Sequence, residues 1–554
     1  MGADSTGIIG VIRRQPYLLV LGILMVISAA VLFHYRAGLN FMLDDWAFVV
    51  YREDGNVGDF LDPHNEHISV IPVAIFKLFL SVFGMSSPLP LQIFSVVMFL
   101  ICVLVVFFYL KPLVGEPLAL AGCAVLLFLG AAWEDLLWIF QLGFSISLAS
   151  GVGALIMLRR QDRRGDRLAC LLLLISVLST SLGIPFLVGA TVDLLLRRER
   201  FWRRIWLVAV PAAVFGLWWL GWGHNTSNGL SVDNAINSPK YVFEAFRLSA
   251  GVLTGAFQID GSRGVYLMRL LGVAVILVVG IWLYRQRRLP RPFLVAAAVA
   301  LAFWGLAALN QIPGRDFGAS RYQLPGAMFL LMILAGAIDG RRIKPYFVYA
   351  LGVVAALAIV ANLQAMSSGY RYFMKPLSDK GIAGLTALDI VRHGDDPAVL
   401  VGINADDSAK IDSGSYFRAV DKYGSPAWDQ GEIDRASEEA RARIDLTLLI
   451  DLSIRGEQGA ASVAGRPCMA VRASLAEPKT IVVPGNAFAV RPRQDVAILM
   501  ERFADEGTRS LLAAKAGRTT AIHVPGDNSD RKWRIGFEGR GRVLVCSAAG
   551  LSSP

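Results

Sequence analysis

The chain has 554 residues, 55% of them hydrophobic and only 18% charged, with a formal net charge of +10. From about residue 16 to 363, apolar runs near the length needed to cross roughly 30 Å of hydrocarbon recur, which excludes an ordinary soluble enzyme and makes this a polytopic membrane protein. The positive charge is no nucleic-acid footprint, because its arginines gather in short loops between apolar runs, as the positive-inside rule describes.

The first run, PYLLVLGILMVISAAVLF, follows Arg13 and Arg14. It is longer than the roughly 7–15 apolar residues of a secretory signal, so it reads as an uncleaved span. Directly after it, LDDWAFVVYREDGNVGDFLDPHNEHISVIP at 43–72 gathers Asp44, Asp45, Glu53, Asp54, Asp59, Asp62 and Glu66 with His64 and His67. The next apolar run, ISVIPVAIFKLFLSVFG at 68–84, decides the topology. If it crosses, RRQDRRGDR at 159–167 is forced outside. If it lies along the outer interface, RRQDRRGDR, RRERFWRR, RQRRLPR and DGRRIK all fall on the cytoplasmic side, as the charge rule demands. The interfacial reading follows.

Further spans are expected near 90–110, 117–132, 140–158, 168–180, 184–196, 204–222, 265–284, 291–309, 323–339 and 345–363. With the first, these make about eleven spans, an N-terminus inside and a tail outside. LACLLLLISVLSTSLGIPFLVGATVDLLL carries arginine-rich loops at both ends. It must cross an even number of times, as two short tilted spans meeting at Gly183 and Pro185 or as a re-entrant hairpin. The segment 223–264 is the one other sizeable polar loop. Beyond residue 364 charge rises and no run is long enough to span. EIDRASEEARARIDLTLLIDLSI has helical periodicity, whereas TIVVP, TTAIHVP, KWRIGF and RVLVCS read as short strands. The chain therefore divides into a transmembrane domain, 1–363, and an extracytoplasmic α/β or β-rich soluble domain, 364–554. Cys102, Cys123 and Cys170 lie in apolar runs, while Cys468 and Cys546 lie in the tail and can pair if it is extracytoplasmic.

This topology opens the acidic first loop, WEDLLWIFQ at 133–141, the loop 223–264 and NQIPGRDFGASRY at 310–322 onto one outer face. The Asp44-Asp45 pair just after the first span, the PHNEH segment at 63–67, the interfacial run ending in Phe83-Gly84 and the second acidic pair Glu134-Asp135 together resemble the GT-C superfamily of integral membrane glycosyltransferases. The similarity is greatest to the protein O-mannosyltransferases and lipid A aminoarabinose transferases, and it covers about residues 10 to 363. It departs where those families carry His-Pro-Pro and this chain reads Pro-His-Asn-Glu-His.

The resemblance implies a GT-C fold and transfer of a sugar from a polyprenyl-phosphate donor to a hydroxyl of an extracytoplasmic glycan, lipid or protein at the bacterial plasma membrane. A hydroxyl needs a base within roughly 3 Å. The first acid of the pair, Asp44, is expected in that role, with Asp45, Glu66, His64, His67, Glu134 and Asp135 on the sugar or acceptor. A leaving phosphate needs donors, and arginine forks suit it, so Arg321, Arg315 and the neighbouring Tyr322 are the donor-phosphate candidates. No cofactor is required by the pattern, although His64 and His67 with Glu66 or Asp45 leave a divalent cation open. The tail is a candidate glycan-binding module.

Duller readings stand beside these. Glu134 and Asp135 can cap a helix, Arg315 and Arg321 can anchor a span at the headgroups, and Tyr322 can belong to an interfacial aromatic belt. Two rival functions are a transporter or flippase of lipid-linked sugars and a noncatalytic membrane-anchored glycan-binding protein. The first is disfavoured because span interiors are nearly free of charge.

Overall fold

A computed structural model describes residues 15–52, 55–197, 201–226, 229–258, 261–312, 315–392, 400–402, 410–450, 455–458, 467–476, 478–483, 487–505, 509–524, 527 and 529–547. Glu53 and Asp54 lie outside the described residues. The chain forms two units, one of residues 1–38, 54–79 and 89–375 and another of 39–53, 80–88 and 376–554.

The first unit is helical. Its elements are α1 (Pro16–Arg36), α3 (Val57–Leu61), most of α4 (Val70–Phe83), α5 (Leu89–Val114), α6 (Glu116–Leu127), α7 (Trp133–Leu137), α8 (Leu142–Leu158), α9 (Arg163–Ser179), α10 (Gly183–Leu195), α11 (Trp206–Gly221), α12 (Val232–Thr254), α13 (Gly261–Gln286), α14 (Arg291–Leu309), α15 (Gln323–Ile338) and α16 (Pro345–Gly369). The small helix α2 (Asp45–Val49) belongs to the other unit. Seven helices among the described residues are long and apolar enough to cross a membrane. An eighth is formed if the pair Glu116–Leu127 and Gly130–Leu137, bent by 41°, counts as one broken span. The expected spans at 184–196 and 204–222 are helices of 13 and 16 residues, shorter than the roughly 20 that a span needs at 1.5 Å per residue. The 168–180 segment is the 17-residue α9, which starts on arginines. α9 and α10 turn back tightly at Gly183, where a Cβ would stand 2.5 Å from the Val177 amide nitrogen. The run at 68–84 is a 14-residue helix, also too short to cross.

The loop expected at 223–264 is instead mostly α12, a 23-residue helix. Ser231 caps it by accepting the Asn234 amide at 3.0 Å. Its apolar side contacts α13, α14, α15 and α16, so an amphipathic pattern hidden among polar residues is stabilised by tertiary burial. Nor does the chain leave helix at residue 364. α16 passes through a π-turn at Tyr370–Met374 into α17 (Lys375–Ile390). The segment is polar enough to read as a loop, but its Ile382, Leu385 and Leu388 are buried.

The second unit adds α18 (Ser413–Tyr423), α19 (Gln430–Arg435) and α20 (Glu438–Ile450). The single helix expected over 432–454 is thus broken. Ala436 is extended at φ −67° and ψ 158°, and Ser437 accepts the Ala440 amide at 3.2 Å to start a new helix. A two-stranded ribbon pairs β1 (Leu400–Gly402) with β2 (Lys410–Asp412). Two antiparallel sheets then run β3-β9-β6-β11-β4 and β5-β10-β7-β8, from β3 (Arg455–Gln458), β4 (Cys468–Arg472), β5 (Ile481–Val482), β6 (Ala487–Pro492), β7 (Val496–Glu501), β8 (Arg509–Ala514), β9 (Thr520–His523), β10 (Arg534–Gly539) and β11 (Arg542–Ser547). All four runs expected as strands contribute, as β5, β9, β10 and β11. Cys468 and Cys546 are directly paired across β4 and β11 and form a disulfide.

Two stretches from the early part of the sequence belong to this second unit. Asn40 receives its place from Ser378, whose Oγ accepts the Asn40 amide at 2.7 Å. Tyr51 donates its hydroxyl to the Lys410 carbonyl at 3.1 Å and accepts the Asp412 amide at 3.2 Å. The Phe-Gly ending of α4 also has a structural reason. Gly84 adopts φ +72°, and a Cβ there would meet the Tyr423 carbonyl oxygen at 2.5 Å, beside the bond from the Met85 amide to that same oxygen.

Candidate functional site

In the first unit, Asn56 accepts the Asp59 amide at 2.9 Å and caps α3. Asp59 accepts the Gly55 amide at 2.7 Å and pairs with Lys77 of α4 at 2.6 Å. One of the loop acids is therefore scaffolding. Beyond it, His64 and His67 exchange two backbone hydrogen bonds of 3.0 Å around Asn65, which takes the left-handed conformation at φ +52°. This tight turn is what the PHNEH stretch encodes, since asparagine tolerates that conformation. His64 rests against Phe140, with ring centroids 5.0 Å apart.

Glu66, at the turn's tip, pairs through Oε1 with Arg315, and its carbonyl accepts the Ser181 hydroxyl at 3.4 Å. The other carboxylate oxygen of Glu66 and Nδ1 of His67 are buried and make no hydrogen bond among the described residues. Burial pushes the His67 imidazole down to about 4, with the charges of Arg315, His64 and Arg321 acting the same way and Glu66 opposing. His67 is thus neutral near pH 7 and retains an acceptor nitrogen.

The second acidic pair sits on α7. Glu134 is tied on two sides. Its amide donates to Ser320 Oγ at 3.1 Å. Its carboxylate accepts the Arg321 amide at 2.8 Å and meets the Arg321 guanidinium at 3.4 Å. Ser320 in turn donates to the Ala131 carbonyl at 2.9 Å. Asp135 is different. It is 2% exposed, neither carboxylate oxygen meets a well-aligned hydrogen-bond partner among the described residues, and the Leu324 amide is the one donor that bears on it, beside the charges of Glu134 and Arg321. A buried carboxylate left so is costly unless something binds it.

Three residues that carried no signal beyond polarity hold α7 in place. Arg36, 1% exposed at the end of α1, donates to the Leu136 carbonyl at 2.9 Å and 2.6 Å, to the Gln92 carbonyl at 3.1 Å and to Ser95 Oγ at 3.3 Å. Asn362 accepts the Ala131 amide at 3.0 Å and donates to the Val252 and Ala358 carbonyls. Ser320 is the third. Arg36 looks in sequence like any basic residue closing a span, and only its complete burial marks it.

The expected phosphate ligands are placed by these pairs. Arg315 is engaged by Glu66 and Arg321 by Glu134. The Tyr322 ring lies 5.7 Å from the Arg321 guanidinium and meets Phe303 edge-on at 6.1 Å. An anion reaching either arginine meets a guanidinium whose charge is already matched by a carboxylate. The structure therefore brings Glu66, His64, His67 and Arg315 together, and Glu134, Asp135, Arg321 and Tyr322 together, within one unit.

Asp44 and Asp45 belong to the other unit. They sit in a turn opened by Leu43 at φ +49°. Asp44 has φ −67° and ψ −15°, so the pair does not lie on extended backbone. The backbone is helical there. Asp45 is fully buried and accepts the Met42 amide at 3.0 Å, whereas Asp44 is half-buried. Among the described residues no group of three or more His, Cys, Asp or Glu side chains is arranged to hold a metal ion, and the pairing of His64 with His67 is through the backbone.

Comparison with known proteins adds no family: no family model, curated protein or solved structure matches this chain.

Proposed function

We propose that the protein is a GT-C-type membrane glycosyltransferase that moves a sugar from a polyprenyl-phosphate donor to a hydroxyl of an extracytoplasmic acceptor. The observation that carries the reading is the pair of carboxylate–arginine contacts, Glu66 with Arg315 and Glu134 with Arg321, beside the buried and unbonded Asp135 in a unit rich in candidate spans. Such a cluster offers cationic forks for a phosphate and acceptors for sugar hydroxyls at once. In this reading the lipid phosphate takes Arg321, and secondly Arg315, by exchange with their carboxylates. Glu66 and Glu134 are then released toward hydroxyls, next to Asp135.

The base is Asp44, a role that comes from the resemblance and from its place directly after α1 in the chain. The acceptor oxygen forms a bond to the anomeric carbon, the bond from that carbon to the phosphate oxygen breaks, the hydroxyl proton passes to Asp44, and polyprenyl phosphate leaves with inversion. The orientation that goes with this places the N-terminus in the cytoplasm and residues 376–554 outside.

In the tail, the sheets offer no aromatic sugar platform among the described residues, because Phe488, Phe503, Trp533 and Phe537, the aromatics of the described sheet region, are all buried. The deciding experiment incubates purified protein in lipid with polyprenyl-phosphate sugars and measures release of polyprenyl phosphate. Release that Asp44→Asn abolishes supports the reading. Failure to release it from any donor, with glycan still bound, replaces the enzyme with a binding protein.

A further inference from the structure

Away from that cluster, α12, α13, α14 and α15 enclose a groove of about 470 Å³, within the roughly 300–1,000 Å³ typical of ligand sites. Its walls include Phe246 of α12, Ile276 and Gly280 of α13, Leu301 and Trp304 of α14 and Leu334 of α15, and no charged residue lines it. Ile276 and Leu301 are 49% and 57% exposed, so its edge is open sideways. Three of the four helices, α13, α14 and α15, belong to candidate spans, so that edge faces hydrocarbon chains.

A charge stands above the rim. Arg269 is seven residues before Ile276 on the same face of α13, about 10 Å along the axis at 1.5 Å per residue. Its side chain is 44% exposed and pairs with Glu244 of α12 at 2.9 Å. Glu244 also pairs with the buried Arg247, so two arginines share one carboxylate and the triad carries a net single positive charge.

We propose that this groove and Arg269 form a seat for one anionic phospholipid, its acyl chain in the groove and its phosphate on Arg269. The occupant is a resident lipid and not the sugar donor. A second cavity, lined by Trp304 on the groove side and by Tyr322 beside Arg321, measures only about 10 Å³, room for roughly one water. A chain cannot reach the Glu134–Arg321 cluster by that way. The inference stands apart from the glycosyltransferase reading and survives its failure.

The test uses the full-length protein, delipidated in detergent, and native mass spectrometry with phosphatidylglycerol or phosphatidylcholine added. Wild-type protein should bind one phosphatidylglycerol about tenfold or more tightly than phosphatidylcholine, the scale of a hydrogen bond to a charged group. Arg269→Gln should reduce that preference to within about threefold. A Cβ on Gly280 meets nothing within 4 Å, so Gly280→Leu and Gly280→Phe place a side chain in open space and should abolish retention of both lipids while thermal unfolding stays cooperative. Equal affinity for the two lipids, a preference that survives Arg269→Gln, or lipid retained by both folded Gly280 variants would overturn the proposal. Displacement of the lipid by polyprenyl monophosphate at a tenfold lower concentration would also overturn it, by giving the groove to the donor.

Discussion

The two acidic pairs, Asp44-Asp45 and Glu134-Asp135, look alike in sequence and are built in opposite senses. Each stands at the start of a five-residue helix. In the first pair the second acid is the structural one: Asp45 is fully buried and accepts the Met42 amide, while Asp44 stays half-buried. In the second pair the first acid is structural: Glu134 accepts the Arg321 amide and faces its guanidinium, while Asp135 is buried with no well-aligned partner among the described residues. Adjacent acids on a short helix point about 100° apart. The surroundings therefore differ between the two members of each pair.

The comparison breaks most readily at Asp44. General-base catalysis contributes about 10²–10⁴-fold, so Asp44→Asn should lower kcat by that much with donor binding within a few-fold. Near-normal kcat in the purified variant removes Asp44 as the base, and a comparable loss confined to Asp45→Asn transfers the role and inverts the contrast drawn within the first pair. For the second pair, Asp135→Asn should cost about 10–100-fold in turnover, as loss of a hydrogen bond to a charged group does. Stability should be unchanged or raised, because an unbonded buried carboxylate disfavours folding. A variant that is destabilised yet fully active would show that Asp135 is scaffold.

Arg321 sharpens the partner side of the same pair. Arg321→Ala should weaken donor use by about ten- to a hundredfold and Arg321→Lys by less. Unaltered donor turnover in both would leave Arg321 as a clamp on Glu134 alone. A smaller effect belongs to Asp45, where loss of charge weakens the hydrogen bond from the Met42 amide. Asp45→Asn should cost about 1 kcal/mol of stability, read from denaturant or thermal unfolding in detergent.

The last effect concerns His67. Its folded value near 4 lies below the ordinary 6.5, so between those limits the unfolded chain binds a proton that the folded chain refuses. Stability should therefore fall as pH drops from about 6.5 toward 4. His67→Gln should flatten that slope by up to one proton, and an identical slope in the variant would show that His67 is hydrated and titrates normally.

The membrane character, the individual apolar helices and the strands β5, β9, β10 and β11 were legible because hydrophobic runs and period-two alternation are local properties. The acidic loop, its histidines and Arg315 and Arg321 were legible as chemistry, through residue type and position beside spans. α12 was hidden, since its polar residues Asp233, Asn234 and Lys240 mask an apolar face that matters only when four other helices cover it. The continuation of α16 into α17 was hidden for the same reason, because the burial of Ile382, Leu385 and Leu388 is not a property of their neighbours in sequence.

Sequence by itself determined which residues could ionise and which segments had to leave water. Tertiary structure alone decided that Arg36 gives its guanidinium to the Leu136 carbonyl, that Arg315 and Arg321 are already held by Glu66 and Glu134, and that Asp135 is buried with no well-aligned hydrogen-bond partner among the described residues. The partners in those contacts lie up to 249 residues apart. A charge's role depends on burial and on which opposite charge or backbone dipole comes within a few ångströms, and no local pattern encodes that distance.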